Sequence, residues 1–200
     1  MPQPLINLLL DAYGQGVFPM ADSRDCDDTY WVDPPMRGVI PLDTFKTPRS
    51  LRKFISQSDY KVTFNQAFDD VIKSCADVPR GDGQATWIND EIEYWFRLLH
   101  AAGHAHSVEV WNKDGTLIGG LYGLAQGACF NGESMFSLET NASKTALVAL
   151  VERMKQNGFT VLDTQFVNDH LKQFGCIEIP KAEYIKMLDE ALAMPHVKLV

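Results

Sequence analysis

The sequence contains no apolar run approaching the ~18 residues of a membrane-spanning helix. Its first residues, Met1-Pro2-Gln3-Pro4, lack the basic stretch that opens a secretory signal. Cysteine is scarce: Cys26, Cys75, Cys129 and Cys176 are widely and irregularly spaced, with no CxxC pair. That pattern excludes the usual zinc frameworks and does not fit a secreted disulfide scaffold, so a reduced, cytoplasmic compartment is expected. Repeats and low-complexity segments are absent. So is a P-loop, since Gly81-Asp82-Gly83 is too short to cradle a phosphate. Cations are in the minority, with 18 Lys+Arg against 26 Asp+Glu and a formal net charge of −8. Such a balance disfavours nucleic acid as a partner unless the charge is unevenly spread.

It is unevenly spread. Asp22, Asp25, Asp27, Asp28 and Asp33 crowd one N-terminal loop, whereas Lys46, Arg49, Arg52 and Lys53 fall in a short stretch without an acid. A local basic patch and a solvated helix face both account for that stretch. The remaining composition, 46% hydrophobic and 22% charged over 200 residues, is that of a folded domain with at most a smaller appended lobe.

Apolar spacing predicts a short helix over 5–13, stopped by Gly14 and Gly16, and a second over 49–58 that buries Leu51, Phe54 and Ile55. Between them, residues 19–48 are rich in Pro, Asp and Gly and read as irregular. A strand is expected at 60–64. Asn65 and Asn89 are read as caps of helices carrying Phe68, Val71, Ile72, Cys75 and Ile92, Trp95, Phe96, Leu99 respectively. The second half begins with a meander of strands at 106–111, 116–125 and 127–136, the first turn being Lys113-Asp114-Gly115. Asn141 would cap a long helix ended by Gly158, followed by a strand over 159–165, a short helix over 168–174 and a final helix over 180–193. Three meandering strands, a helix and a parallel strand form the core order of GNAT-type acyltransferases. The chain is therefore read as α+β, a mixed sheet flanked by helices, with a small N-terminal domain (1–62) and a GNAT-like catalytic domain (63–200).

Several short motifs carry little. Gly132-Glu133-Ser134-Met135-Phe136 lacks the second glycine of a nucleophile elbow and no helix follows it directly, which sets a serine hydrolase aside. His100, His104 and His106 could ligate a metal, but Gly103 interrupts their helix, and packing histidines are the preferred reading; no metal is expected. The start of the 141–157 helix has no pantetheine-binding signature, so acyl-CoA has no visible site. Asp163-Thr164-Gln165 is more telling. On a strand its first and third side chains share a face, and a carboxylate in an apolar strand needs a partner or a function. Spacing leaves both open.

The ordered blocks Gly16-Val17-Phe18-Pro19, Trp31 with Pro34-Pro35-Met36-Arg37, Thr86-Trp87-Ile88, Gly103 to Trp111, Gly132 to Ser137, Asn141 to Leu147, and Asp163-Thr164-Gln165 with Asn168-Asp169-His170-Leu171 resemble the bacterial leucyl/phenylalanyl-tRNA-protein transferases. The resemblance runs from about Tyr13 to Tyr184. It implies transfer of Leu or Phe, less readily Met, from charged tRNA to the α-amino group of proteins beginning with Arg or Lys, marking them for N-end rule degradation. No cofactor is implied, because an aminoacyl ester is already activated, nor any membrane, and a monomer is expected. By the same resemblance Asp163 and Gln165 orient the attacking amine as catalytic residues. Gln has no useful proton affinity, so Gln165 is read as a hydrogen-bond acceptor that positions the amine, anchored by Asp163. Leu121, Phe130, Leu147, Leu150 and Leu162 would wall the side-chain pocket. Glu133 and Asn168 would contact the aminoacyl end, and Trp31 and Trp87 would stack on the terminal adenosine, with ordinary packing as the alternative. Lys46, Arg49, Arg52, Lys53 and Arg80 would hold tRNA phosphates. At Phe96 the family usually has Tyr. An acyl-CoA-dependent GNAT N-acyltransferase and a non-catalytic reader of basic N-termini are the competing readings.

Overall fold

The computed structural model describes residues 2–77 and 86–200, and a seven-stranded sheet runs through it in the order β4-β5-β6-β7-β8-β3-β9. The strands are β3 (Met36–Ile40), β4 (Lys61–Phe64), β5 (Ala105–Trp111), β6 (Leu117–Gln126), β7 (Cys129–Ser137), β8 (Val161–Gln165) and β9 (Ile177–Pro180). A separate antiparallel ribbon joins β1 (Phe18–Ala21) to β2 (Thr29–Val32). Helices are α1 (Gln3–Gly14), α2 (Arg49–Gln57), α3 (Phe68–Asp77), α4 (Asp90–Ala101), α5 (Ala142–Asn157), α6 (Asp169–Lys172) and α7 (Lys181–Leu192). Arg80 lies outside the described residues.

The meander β4 to β7 is antiparallel, and β7 pairs parallel with β8 after the α5 crossover. This is the mixed α+β sheet expected from the element order. Two hydrophobic clusters flank it. One gathers α5 and α7 with Leu121, Phe130 and Leu162, and the other gathers α1, α3 and α4 with Tyr122, Leu124 and Phe136. Leu121 and Tyr122 fall in different clusters, as alternation along a strand requires.

Local chemistry sets the edges of α5. At Gly158 the backbone is left-handed (φ 83°), and its N–H returns to the Met154 carbonyl. The first turn packs so tightly on β6 that a Cβ at Gly119 would lie 2.5 Å from the Ala142 Cβ, which makes glycine the residue for that position.

Three local expectations are corrected. Residues 19–48 are not irregular: they supply β1, β2 and β3. Asn65 does not cap α3, which starts at Phe68; its side-chain oxygen accepts from Ser107 N–H at 3.0 Å and its amide nitrogen donates to His106 Nδ1 at 2.9 Å. Asn141 occupies the N-cap position of α5 in a left-handed conformation (φ 64°) without a side-chain cap. Asn89 does cap α4, accepting from Ile92 N–H. The strand β9 lies between the helices expected at 168–174 and 180–193. β3 runs between β8 and β9 within the large sheet, so residues 36–40 pair with strands formed by residues 161–165 and 177–180.

Candidate functional site

The ladder between β7 and β8 stops at the pair Asn131–Asp163, although β7 continues to Ser137. Beyond that point the two strands part, and a cavity of about 750 Å³ opens between them. Gly132 to Ser137 line one side and Leu162, Thr164, Gln165 and Phe166 the other. Phe18, Met20 and Trp87 contribute from the N-terminal half, and Leu147 and Leu150 from α5. The volume suits a small organic ligand.

Of the expected pocket walls, Leu121, Leu147, Leu150 and Leu162 line this cavity. Phe130 does not; it is fully buried in the core cluster. Glu133, Trp87 and Asn168 line it as well. Asn168 is also structural, since its side-chain oxygen accepts from Leu171 N–H at 2.8 Å and caps α6. Trp31 lies elsewhere: it is 40% exposed and stacks on Trp95 with centroids 5.9 Å apart. Phe96 is buried edge-to-face against Tyr13 and Tyr122 and does not reach the cavity.

Asp163 and Gln165 take different places. Gln165 lines the cavity and ends β8 with a left-handed backbone, φ 57°. In the orientation that satisfies its amide, Nε2 donates to the carbonyls of Gly132 (2.8 Å) and Thr164 (3.2 Å). The amide oxygen is then left to accept. Asp163, in contrast, is fully buried and does not line the cavity. Its Oδ1 accepts from Arg37 Nε at 2.9 Å and from Gln165 N–H at 2.8 Å. Its Oδ2 accepts from Arg37 Nη2 and from Tyr184 O–H, the latter at 2.9 Å. Burial opposes the Arg37 charge, but Asp163, with Tyr184 and Glu133, outweighs it and holds the guanidinium ionised above its ordinary range. Tyr184 is held protonated by burial and by the Asp163 charge. The carboxylate therefore braces the strand end that carries Gln165. Nothing in the chain order marks Arg37 as its partner: the sequence shows the carboxylate inside an apolar strand, but Arg37 falls in the stretch expected to be irregular.

Glu133 faces the cavity and accepts from Tyr13 O–H at 2.9 Å. Burial, with a contribution from Asp163, pushes its carboxyl up to about 8, against the lowering effect of Tyr13 and Arg37. The folded protein thus keeps a proton at Glu133 that the unfolded chain, near its ordinary 4.5, releases. Stability contributed by this site is present below pH 4.5 and lost as pH rises towards about 8. Thermal melts between pH 5 and 9, with Glu133→Gln beside the parent protein, should show a downward slope that the variant lacks; parallel curves would refute the assignment.

The histidine string does not converge on a metal. His100 Nδ1 pairs with the Ala105 carbonyl at 2.8 Å and its ring stacks on Phe68. His106 Nδ1 faces an Asn65 nitrogen that can only donate, so Nδ1 is unprotonated; burial, with His100 and His104, lowers that group to about 4. Among the described residues no group of three or more His, Cys, Asp or Glu is placed to hold a metal. Nor is any described helix long and apolar enough to cross a membrane.

Lys46, Arg49, Arg52 and Lys53 are all exposed, at and just before α2. The Lys46 N–H donates to the Phe174 carbonyl at 3.1 Å, tying this stretch to the end of α6, whose cap Asn168 and residues His170 and Leu171 line the cavity.

Comparison with known proteins places the chain. The solved structure of FemX superposes with a TM-score of 0.55 at 13% identity, covering 87% of this chain and 66% of that one, which is a likeness of fold. A leucyl/phenylalanyl-tRNA–protein transferase of Rhizorhabdus wittichii is 51% identical over 188 residues, 94% of this chain and 75% of the relative. The family model of the leucyl/phenylalanyl-tRNA protein transferase matches residues 39–189, and that of its N-terminal domain matches 5–35. The cavity thus sits in a chain that belongs to the leucyl/phenylalanyl-tRNA protein transferase family, enzymes that move an aminoacyl group from tRNA to protein.

Proposed function

We propose that the enzyme transfers Leu or Phe, less readily Met, from aminoacyl-tRNA to the α-amino group of proteins beginning with Arg or Lys, marking them for N-end rule degradation. The observation that carries this reading is the apolar cavity between the parted strands β7 and β8, walled by Leu121, Leu147, Leu150 and Leu162 with Gln165 at its edge. In the reaction the neutral amine attacks the ester carbonyl carbon. A C–N bond forms, the C–O bond to the ribose breaks, and the amine proton leaves while the ribose hydroxyl regains one. With an α-amino pKa of ~7.7–8.0, roughly 10–20% of acceptor is neutral at pH 7. Placement supplies much of the remaining barrier reduction, up to ~7–11 kcal/mol for ideal alignment.

In this reading the Gln165 amide oxygen accepts from the incoming amine and Asp163 acts on Gln165 from behind, without touching substrate. Glu133, Trp87 and Asn168 contact the aminoacyl-adenosine end. Lys46, Arg49, Arg52 and Lys53 hold tRNA phosphates. A tRNA donor puts the reaction in the cytoplasm, and nothing in it requires more than one subunit.

The test uses purified protein, tRNA charged with labelled Leu or Phe, and two peptides differing only in N-terminal Arg or Ala, without CoA. Label is expected on the Arg peptide alone. Label on both peptides would remove the acceptor rule, and a requirement for acyl-CoA would replace the donor.

A further inference from the structure

Arg37 is buried to 1% exposure in β3, a strand that contributes no residue to the cavity wall, yet its guanidinium joins three separate segments. Nε and Nη2 clamp both Asp163 oxygens, and Nη1 donates to the Gly16 carbonyl at 2.8 Å. The guanidinium lies between two rings, 4.6 Å from the Phe18 centroid and 4.5 Å from that of Tyr184. Phe18 is itself a cavity wall and packs edge-to-face on Phe166. Two of its contacts therefore end on groups that shape the site: the clamp on Asp163, which holds the Gln165 N–H, and the guanidinium face on Phe18.

The link to Gln165 is short. Asp163 Oδ1 receives both Arg37 Nε and the Gln165 backbone N–H, so the position of that oxygen sets the position of the Gln165 amide group. The register between β3 and β8 slips beside Gly38, the residue paired with Gln165, and there Gln165 adopts its left-handed backbone. A non-glycine residue in that region is costly and persists only where its surroundings over-determine it. A planar guanidinium holds a carboxylate by two parallel bonds at a fixed angle, which a lysine ammonium cannot do.

We propose that Arg37 is a positioning residue for aminoacyl transfer: its clamp on Asp163 holds the end of β8 so that the Gln165 side chain meets the attacking amine. The proposal rests on the reaction stated above, and the clamp is separate from donor binding, because Arg37 does not line the cavity.

The experiment is a double-mutant cycle on transfer from Phe-tRNA to an Arg-peptide, with the parent protein, Arg37→Lys, Gln165→Ala and the double variant. Arg37→Lys should lower kcat at least tenfold with the KM for Phe-tRNA within about threefold of the parent, a loss of transition-state placement and not of binding. In the Gln165→Ala background the same change should cost less than threefold, because the two act as one unit. A role confined to folding would give losses that multiply, and that result overturns the proposal. So does a raised KM at unchanged kcat, or a Gln165→Ala protein as fast as the parent. Should Arg37→Lys not accumulate folded, Arg37→Met combined with Asp163→Asn leaves no unpaired charge and enters the same cycle with the same criteria. Failure of the parent protein to transfer at all would instead count against the function, and the arms are thereby distinguishable.

Discussion

Asp163→Ala is expected to destabilise the protein by roughly 3–5 kcal/mol, the range for removing one partner of a buried ion pair. For a chain of this size that corresponds to a fall in Tm of about 6–20 °C. The cause is the group left behind. Arg37 would keep its charge at 1% exposure with the Gly16 carbonyl and two aromatic faces for company, having lost both bonds to carboxylate. Tyr184 O–H and the Gln165 N–H would lose their acceptor in the same step. Asp163→Asn keeps the shape and one acceptor oxygen, so its loss should be smaller. Replacing the pair together, Arg37→Met with Asp163→Asn, should recover much of the stability while transfer stays slow, because the geometry of Gln165 is not recovered with it. Melting curves and rates on the same three preparations check this. An Asp163→Ala protein that melts with the parent would mean that the buried pair contributes nothing to the fold. A double variant as unstable as the single one would mean that the stranded charge is not the cause.

Replacing Arg49, Arg52 and Lys53 by Ala together is expected to weaken binding of every charged tRNA by on the order of 100-fold near 0.1 M salt, and to flatten the dependence of log K on log salt by about 2–3 units. Three phosphate contacts released at ~0.7–0.9 each give that slope. The exchange should leave the fold alone, since all three side chains are exposed and α2 is anchored by Leu51. Binding isotherms for two tRNA species at four salt concentrations decide the matter. An unchanged slope would place the tRNA backbone elsewhere on the surface. A loss confined to one species would mean that these cations read sequence instead of phosphate.

How much of this was legible in the chain depends on whether the deciding contact is local. The β5–β6 hairpin, the cap at Asn89 and the glycine stop at Gly158 are written within a few residues and were read correctly. β3 was not, because Met36-Arg37-Gly38-Val39-Ile40 follows two prolines and has only five residues; β8 and β9, more than 120 residues away, make it a strand. The same distance hid the partner of Asp163. Asn65 and Asn141 resembled caps in composition, yet each took a left-handed backbone, and the Asn65 side chain turned to β5. Phe130 has the chemistry of a pocket wall, but lies where β7 and β8 are still paired, one residue short of the place where the pairing ends. Alternation along a strand cannot tell where two strands part.

The place of β3 between β8 and β9 also orders events in time. Arg37 is made 126 residues before the carboxylate that will receive it. At about 5–20 residues per second, synthesis leaves that interval at roughly 6–25 s. Throughout it, the apolar segment 36–40 has neither of the strands that will pair with it, and an unpaired apolar segment invites pairing with other chains. A charge at its second position is what discourages such pairing. Among the described residues Arg37 is the most enclosed Lys or Arg of the folded protein, and until β8 and β9 are made it is the one charge of the segment 36–40.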